Sequence, residues 1–343
     1  MSQTIVTLRN RDGHALHCIL EEPPAVTPRA AMAVVLLCPG IKTRVGPHRL
    51  HRKLSAPFLA RGIPVLRVDF RGLGDSEGEW PDDALASIYR LTELGHCVDD
   101  VRAALDWLET RLGIRRSIVG GLCGAAITAL QVAREDSRLA ALYAIGLPSL
   151  LDGVDVERRT SAGERQSHRS VYLRKLRQPA SWLRLLSLKT DYGLLWRALA
   201  KGVLAKMAAP LAAGGATPVA GLNPDLPGCL LALLGTGRPA LMLFGERDPM
   251  RWSFEENVLQ PWSAALEPYK SQIQYSVIPG ANHILSRPMD ILAANRLTEA
   301  WLDAQLTRGI VRSERGAGAA GIHPGELECS RLQEAIQCST SES

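Results

Sequence analysis

The stretch SIVGGLCGAAITAL, Ser117 to Leu130, sets the tightest limit on what this chain can fold into. An apolar run of β type passes through a few small residues into an apolar run of helical type. So short a reversal from strand to helix tolerates only tiny side chains on either side of its apex, because larger ones collide with the strand or the helix. Gly120, Gly121, Gly124 and Ala125 meet that demand, and Cys123 sits at the apex. A helix starting directly after Cys123 places its positive N-terminal end beside the thiol. It also aims the Gly124 N–H at any oxyanion formed on an acyl group held by sulfur.

The surrounding sequence alternates strand and helix patterns. TIVTLRN and LHCILEE read as an antiparallel pair around the Asp12-Gly13 turn. AMAVVLLCPG and IPVLRVDF are continuous apolar runs, as expected of strands buried on both faces. HRLHRKLSAPFLARG between them reads as a helix interrupted near Pro57. IYRLTELGHCVDDVRAALDWLETRLG reads as one long helix, with Val98, Val101, Leu105 and Leu108 on one face. LAALYAIGLP, PALMLFGERDP and IQYSVIPG supply later strands, FEENVLQPWSAALEPY a helix between the last two, and DILAANRLTEAWLDAQL a closing helix. This order predicts an α/β fold with a mostly parallel, doubly wound sheet and a ligand site at the carboxyl ends of its strands.

Residues 1–150 and 239–308 are expected to form the two parts of this core. The alternation stops between residues 151 and 238, which read as a helical insertion followed by a segment rich in glycine, alanine and proline. That interval holds 13 Lys plus Arg against 6 Asp plus Glu, a balance of +7, while the whole chain carries +5. Residues 309–343 have few apolar side chains and are expected to be a disordered tail.

The seven cysteines are scattered and form no C-x-x-C pair, and the eight histidines show no H-E-x-x-H spacing. Neither a disulfide framework nor a metal or other cofactor is expected. The N-terminal segment lacks a basic stretch followed by an apolar run, and no stretch of about 18 apolar residues occurs, so a cytoplasmic protein with no transmembrane segment is expected.

A thiol nucleophile needs a base, and the base needs an orienting acid. Asp248 follows the strand ending LMLFGER, with Glu246 as the competing carboxylate, and His283 lies in the loop after SVIPGAN. Cys123, Asp248 and His283 each follow a predicted strand, so all three converge on one sheet edge. The turn CPGIKTRVG follows the first buried strand, and the Ile41 N–H after Pro39-Gly40 is the expected second oxyanion donor beside Gly124. Lys42, Arg44 and Arg49 make this turn basic and read as a solvated surface.

From about Ala31 to Leu306 the chain resembles the α/β-hydrolase superfamily, through VVLLCPG, GIPVLRVDFRGLGDSEG, IVGGLCGA, LFGERDP and IPGANHI. DFRGLGDSEG is similar to the branch holding serine aminopeptidase-like hydrolases and monoglyceride lipases. Within it, KTRVGPHR, GGLCGAA and YLRKLRQPASWLRLLS are similar to the exosortase-system-associated hydrolases, which carry cysteine at the elbow. The resemblance implies Cys123 as nucleophile, Asp248 as acid, His283 as base, Ile41 and Gly124 as oxyanion donors, and residues 151–238 as a lid. The chain departs from the pattern at Cys38, before Pro39-Gly40, where relatives often have histidine, and at Ala125, where glycine is usual.

A thiol stores an acyl group as a thioester, and its thiolate is a good leaving group, so esters and thioesters suit it better than amides. The leading expectation is a hydrolase of small-molecule acyl esters or thioesters. The alternative is an acyltransferase that passes the acyl group to an amine, alcohol or thiol, and a third is a non-catalytic scaffold of the same fold. In the lid, Trp182 and Trp196 are expected to line an acyl tunnel. Arg174 and Arg177 are placed to face an acyl carrier protein or a coenzyme A ester. No nucleic-acid module accompanies the charge, so nucleic acid is not expected as a partner.

Overall fold

A computed structural model describes residues 2–82, 84–151 and 221–307. The Asp12-Gly13 turn joins β1 (Ser2–Arg9) to β2 (Ala15–Glu22) in an antiparallel pair, with Gly13 at the positive φ of 86° that such a turn asks of glycine. The apolar runs that follow become β3 (Ala33–Leu37), β4 (Val65–Val68), β5 (Ser117–Leu122) and β6 (Leu139–Ile145). β7 (Ala240–Gly245) and β8 (Ile273–Ile278) complete one sheet of eight strands in the order β1-β2-β4-β3-β5-β6-β7-β8. Strands β3 to β8 run parallel, and β2 meets β4 antiparallel. This is the expected α/β-hydrolase architecture.

Alternation along the strands feeds two separate cores. On β3, Ala33, Val35 and Leu37 enter one and Val34 and Leu36 the other, so every side chain of the strand is buried. Between β3 and β4, α1 (Leu50–Leu54) and α2 (Ala56–Leu59) form the expected interrupted helix, with Pro57 in the first turn of the second piece.

The single helix expected over Ile88–Gly113 is two. α3 (Leu85–Glu93) ends in a turn where His96 N–H bonds to the Leu91 carbonyl (3.0 Å) and Gly95 takes φ 96°, and α4 (Val98–Leu112) restarts behind it. Val101, Leu105 and Leu108 on α4 are buried as the spacing predicts, and Val98 is half-buried. α5 (Gly124–Glu135) follows β5 with no loop.

On either side of the undescribed residues 152–220, Leu151 and Gly221 lie together in the core. Leu150 bridges Leu222, Leu151 N–H bonds to the Gly221 carbonyl (2.8 Å), and Asn223 N–H bonds to the Ser149 carbonyl (2.9 Å). The core therefore resumes well before residue 239, where composition placed the end of the insertion. α6 (Leu226–Gly235) packs against α5 with Leu226, Leu230, Leu233 and Leu234 buried. Its near-continuous apolar character is that of a helix inside a core, which composition alone does not separate from an apolar insertion.

The helix expected near FEENVLQPWSAALEPY is broken into α7 (Pro249–Phe254), a π turn over Glu255–Leu259 and α8 (Ser263–Leu266), because Pro261 has no N–H to continue the ladder. α9 (Pro288–Thr307) closes the core against α1, α2 and β8. Among the described residues no helix is long and apolar enough to cross a membrane.

If α6 belongs to the core, Leu233→Ala leaves a cavity beneath α5 and lowers stability by about 3 kcal/mol, measured by urea unfolding. A loss under about 1 kcal/mol would mean that this helix is not an integral part of the core.

Candidate active site

The β5–α5 turn is as tight as the sequence predicts. Cys123 lies at φ 57° and ψ −119°, which few non-glycine residues adopt, and its N–H is held by the Ile145 carbonyl of the neighbouring strand (2.8 Å). A Cβ on Gly120 would strike the Tyr143 backbone carbonyl. One on Gly121 would lie 2.9 Å from Ala125 Cβ and 3.0 Å from the Leu37 carbonyl oxygen. Ala125 is tolerated where relatives have glycine because Gly121 opposite it has no side chain.

Asp248 is fully buried at the start of α7. Its Oδ1 accepts the Met250 N–H (2.9 Å) and its Oδ2 lies 3.0 Å from His283 Nδ1. Glu246, the competing carboxylate, is exposed and accepts the Gly280 N–H instead (2.6 Å). Cys123 lies close enough to the His283 ring to bear on its charge, so the structure brings the three expected residues together. Burial opposes a charge on His283, but Asp248 and Cys123 outweigh it, and its pKa is pushed up to about 10. The ring is thereby held as an imidazolium between a carboxylate and a sulfur.

The turn after β3 is closed by a bond from Lys42 N–H to the Pro39 carbonyl (3.0 Å). Among the described residues no hydrogen-bond acceptor takes up the Ile41 N–H. Gly124 N–H, at the first position of α5, has no helical partner either. The two stretches meet: a Cβ on Gly124 would lie 3.3 Å from the Gly40 nitrogen.

What holds this turn was missed by reasoning from sequence. Arg44, expected on a solvated surface, is turned inward. Its N–H and its guanidinium both bond to the buried Asp69 carboxylate, and the guanidinium also reaches Asp75 (2.7 Å). The Arg44 carbonyl is held by His51 Nδ1 (3.1 Å), and burial lowers the pKa of that histidine to about 4, so it stays neutral. Asp69 and Asp75 belong to DFRGLGDSEG, and the paired signal was a lone arginine in one loop and a strand-ending aspartate in the other. Gly146 was missed as well. It sits at φ 57° directly under the pair, where a Cβ would fall 2.8 Å from both Asp248 Oδ2 and the His283 ring.

The lid residues Trp182, Trp196, Arg174 and Arg177, and the expected tail, lie outside the described residues.

Comparison with known proteins agrees with this fold. The model of the alpha/beta hydrolase family matches residues 35–295. An esterase from Pyrococcus furiosus superposes with a TM-score of 0.53 at 14% identity, covering 88% of this chain and 92% of that one. A hypothetical protein from Pseudomonas aeruginosa gives 0.51 at 17% identity over 88% and 93%. An alpha-beta serine hydrolase homologue from Coxiella burnetii gives 0.49 at 14% identity over 88% and 98%. No curated protein matches the sequence at a significant level. With the family model running from within β3 through β8, over most of the chain, the chain belongs to the alpha/beta hydrolase family.

Proposed function

We propose that this protein hydrolyses acyl esters or thioesters through an acyl intermediate on Cys123, as a cysteine-bearing member of the exosortase-associated branch. The reading is carried by one observation: a cysteine at the strained apex of the β5–α5 turn lies close enough to bear on the charge of a histidine whose Nδ1 is 3.0 Å from a fully buried carboxylate. A structural cysteine in a small-residue turn has no need of either partner.

In this mechanism the reaction starts with the proton on His283, and the Cys123 sulfur attacks the substrate carbonyl carbon. The C–S bond forms as the carbonyl π electrons move to oxygen, where the Ile41 and Gly124 N–H groups donate hydrogen bonds. Collapse of this adduct breaks the bond to the leaving alkoxide or thiolate, which receives the proton from His283. Water, losing a proton to His283, then attacks the thioester and releases the acid and the Cys123 sulfur. Asp248 keeps the imidazole oriented and stabilises its charged form throughout. Asp69 acts at one remove, by fixing Arg44 and with it the turn that presents the Ile41 N–H.

Intact mass spectrometry with a panel of acyl esters and thioesters is expected to show a transient adduct on Cys123 that water discharges, and no adduct in Cys123→Ala. An adduct stable in water and released only by an added amine, alcohol or thiol would instead make the enzyme an acyltransferase. No adduct with any donor would leave only the scaffold.

His283→Ala is expected to slow acyl transfer about 10³-fold. Asp69→Asn is expected to lower kcat by about 10²-fold with little change in KM, because it disturbs an oxyanion donor and not ground-state binding. A matched loss in KM with unchanged kcat would remove that positioning role.

Asp248→Asn is expected to lower the pKa of His283 from about 10, read from the imidazole NMR shifts. The sign for stability follows, because a folded value above the ordinary 6.5 stabilises the fold. That contribution is complete below about pH 6.5 and is lost as pH rises through about 10, and the substitution moves the loss to lower pH.

A further inference from the structure

The surface next to His283 combines unneutralised positive charge with protruding apolar side chains. From Lys42 to Lys53 the chain contains no carboxylate residue. Arg44 and His51 point inward, while Lys42, His48, Arg49, Arg52 and Lys53 are exposed. Among the described residues, Lys42, Arg49, Arg52 and Lys53 have no acidic partner within ion-pair distance. This segment is fastened to the loop carrying His283, because His48 Nε2 lies 2.8 Å from the Ile284 carbonyl oxygen, and to α9, because Asn295 Nδ2 donates to the Lys53 carbonyl (3.1 Å).

On the α9 side of this seam large apolar side chains are exposed. Ile284, Met289 and Leu292 are 36%, 63% and 52% exposed, large values for such side chains. Met289, Leu292 and Arg296 follow at spacings of three and four and so share one helix face. The one carboxylate between residues 284 and 296, Asp290, is 1% exposed and bound to Arg287. The patch thus presents apolar side chains ringed by cations, with no exposed carboxylate among them.

We infer that this face docks against an anionic lipid bilayer, with Ile284, Met289 and Leu292 entering the headgroup layer and the surrounding lysines and arginines lying on lipid phosphates. Charge complementarity demands an anionic partner. The protruding side chains Met289 and Leu292 on α9 are largely exposed, which suits a soft planar interface. The docked face includes Ile284, the residue after His283, so His283 would lie near the membrane surface. Vesicle binding needs none of the acyl chemistry proposed above, so either reading can fail alone.

The test is co-sedimentation of the full chain with vesicles of phosphatidylglycerol and of phosphatidylcholine. Binding to phosphatidylglycerol alone, weakening as salt is raised, is expected. Arg52→Glu/Arg296→Glu should reduce that partition at least about tenfold. Met289→Gln/Leu292→Gln should reduce it while leaving the net charge unchanged. Arg11→Glu/Arg115→Glu, two charge reversals placed outside the patch, should retain it, and thermal unfolding checks that all variants are folded. Equal partition onto both lipids, or none, would overturn the inference, as would an equal loss in the Arg11/Arg115 variant. Retention on polyglutamate without binding to either vesicle would assign the face to an acidic polypeptide and overturn it too.

Discussion

Everything in the site depends on how closely α5 can approach the end of β5. Cys123 takes a backbone conformation that costs a non-glycine residue on the order of 1–3 kcal/mol, and two features hold it there. One is the bond from its own N–H to the Ile145 carbonyl (2.8 Å), which ties the apex to the adjacent strand. The other is α5 itself, whose residues from Gly124 to Ala133 are all buried between the sheet and its neighbours. The strain is therefore carried by the best-packed element of the fold. The result is a thiol raised above the sheet edge with a helix N-terminus directly behind it.

The parallel sheet supplies the remaining groups almost without further design. β3, β5, β7 and β8 all run the same way, so the segments following them meet at one edge. Those segments are the Gly40-Ile41 turn, the Cys123 apex, Asp248 and the His283 loop. Asp248 gains a second use there, since the carboxylate that faces His283 also caps α7. Its orientation is consequently fixed by the helix before any substrate arrives.

Much of this was legible in the sequence, for reasons that differ by element. β3 and β5 could be read because burial on both faces leaves an unbroken apolar run, and the apex because only tiny residues fit around it. Asp248 and His283 were readable because each follows a strand. The break at Gly95 was not, since the apolar spacing continues across it from α3 to α4 and only the glycine marks the turn. Nor was the place of α6, because an apolar helix buried in a core has the same composition as one in an insertion. Arg44 was misread for a related reason. A basic residue in a loop is usually solvated, and the partner that buries it, Asp69, is 25 residues away in another loop.

The contacts around that arginine reach from one loop of the site to another. Asp69 and His51 hold Arg44, and Arg44 holds the turn bearing the Ile41 N–H. Farther along the same segment His48 binds the carbonyl of Ile284, the residue after His283. His48, Arg49 and Leu285 all take positive φ, so backbone strain is concentrated on both sides of that one bond. The segment that follows the Gly40-Ile41 turn and the His283 loop are thus stitched to each other as well as to the sheet. Displacing either loop disturbs the other. A partner docking on the Lys42–Lys53 segment would therefore reach the His283 loop through the bond between His48 and the Ile284 carbonyl.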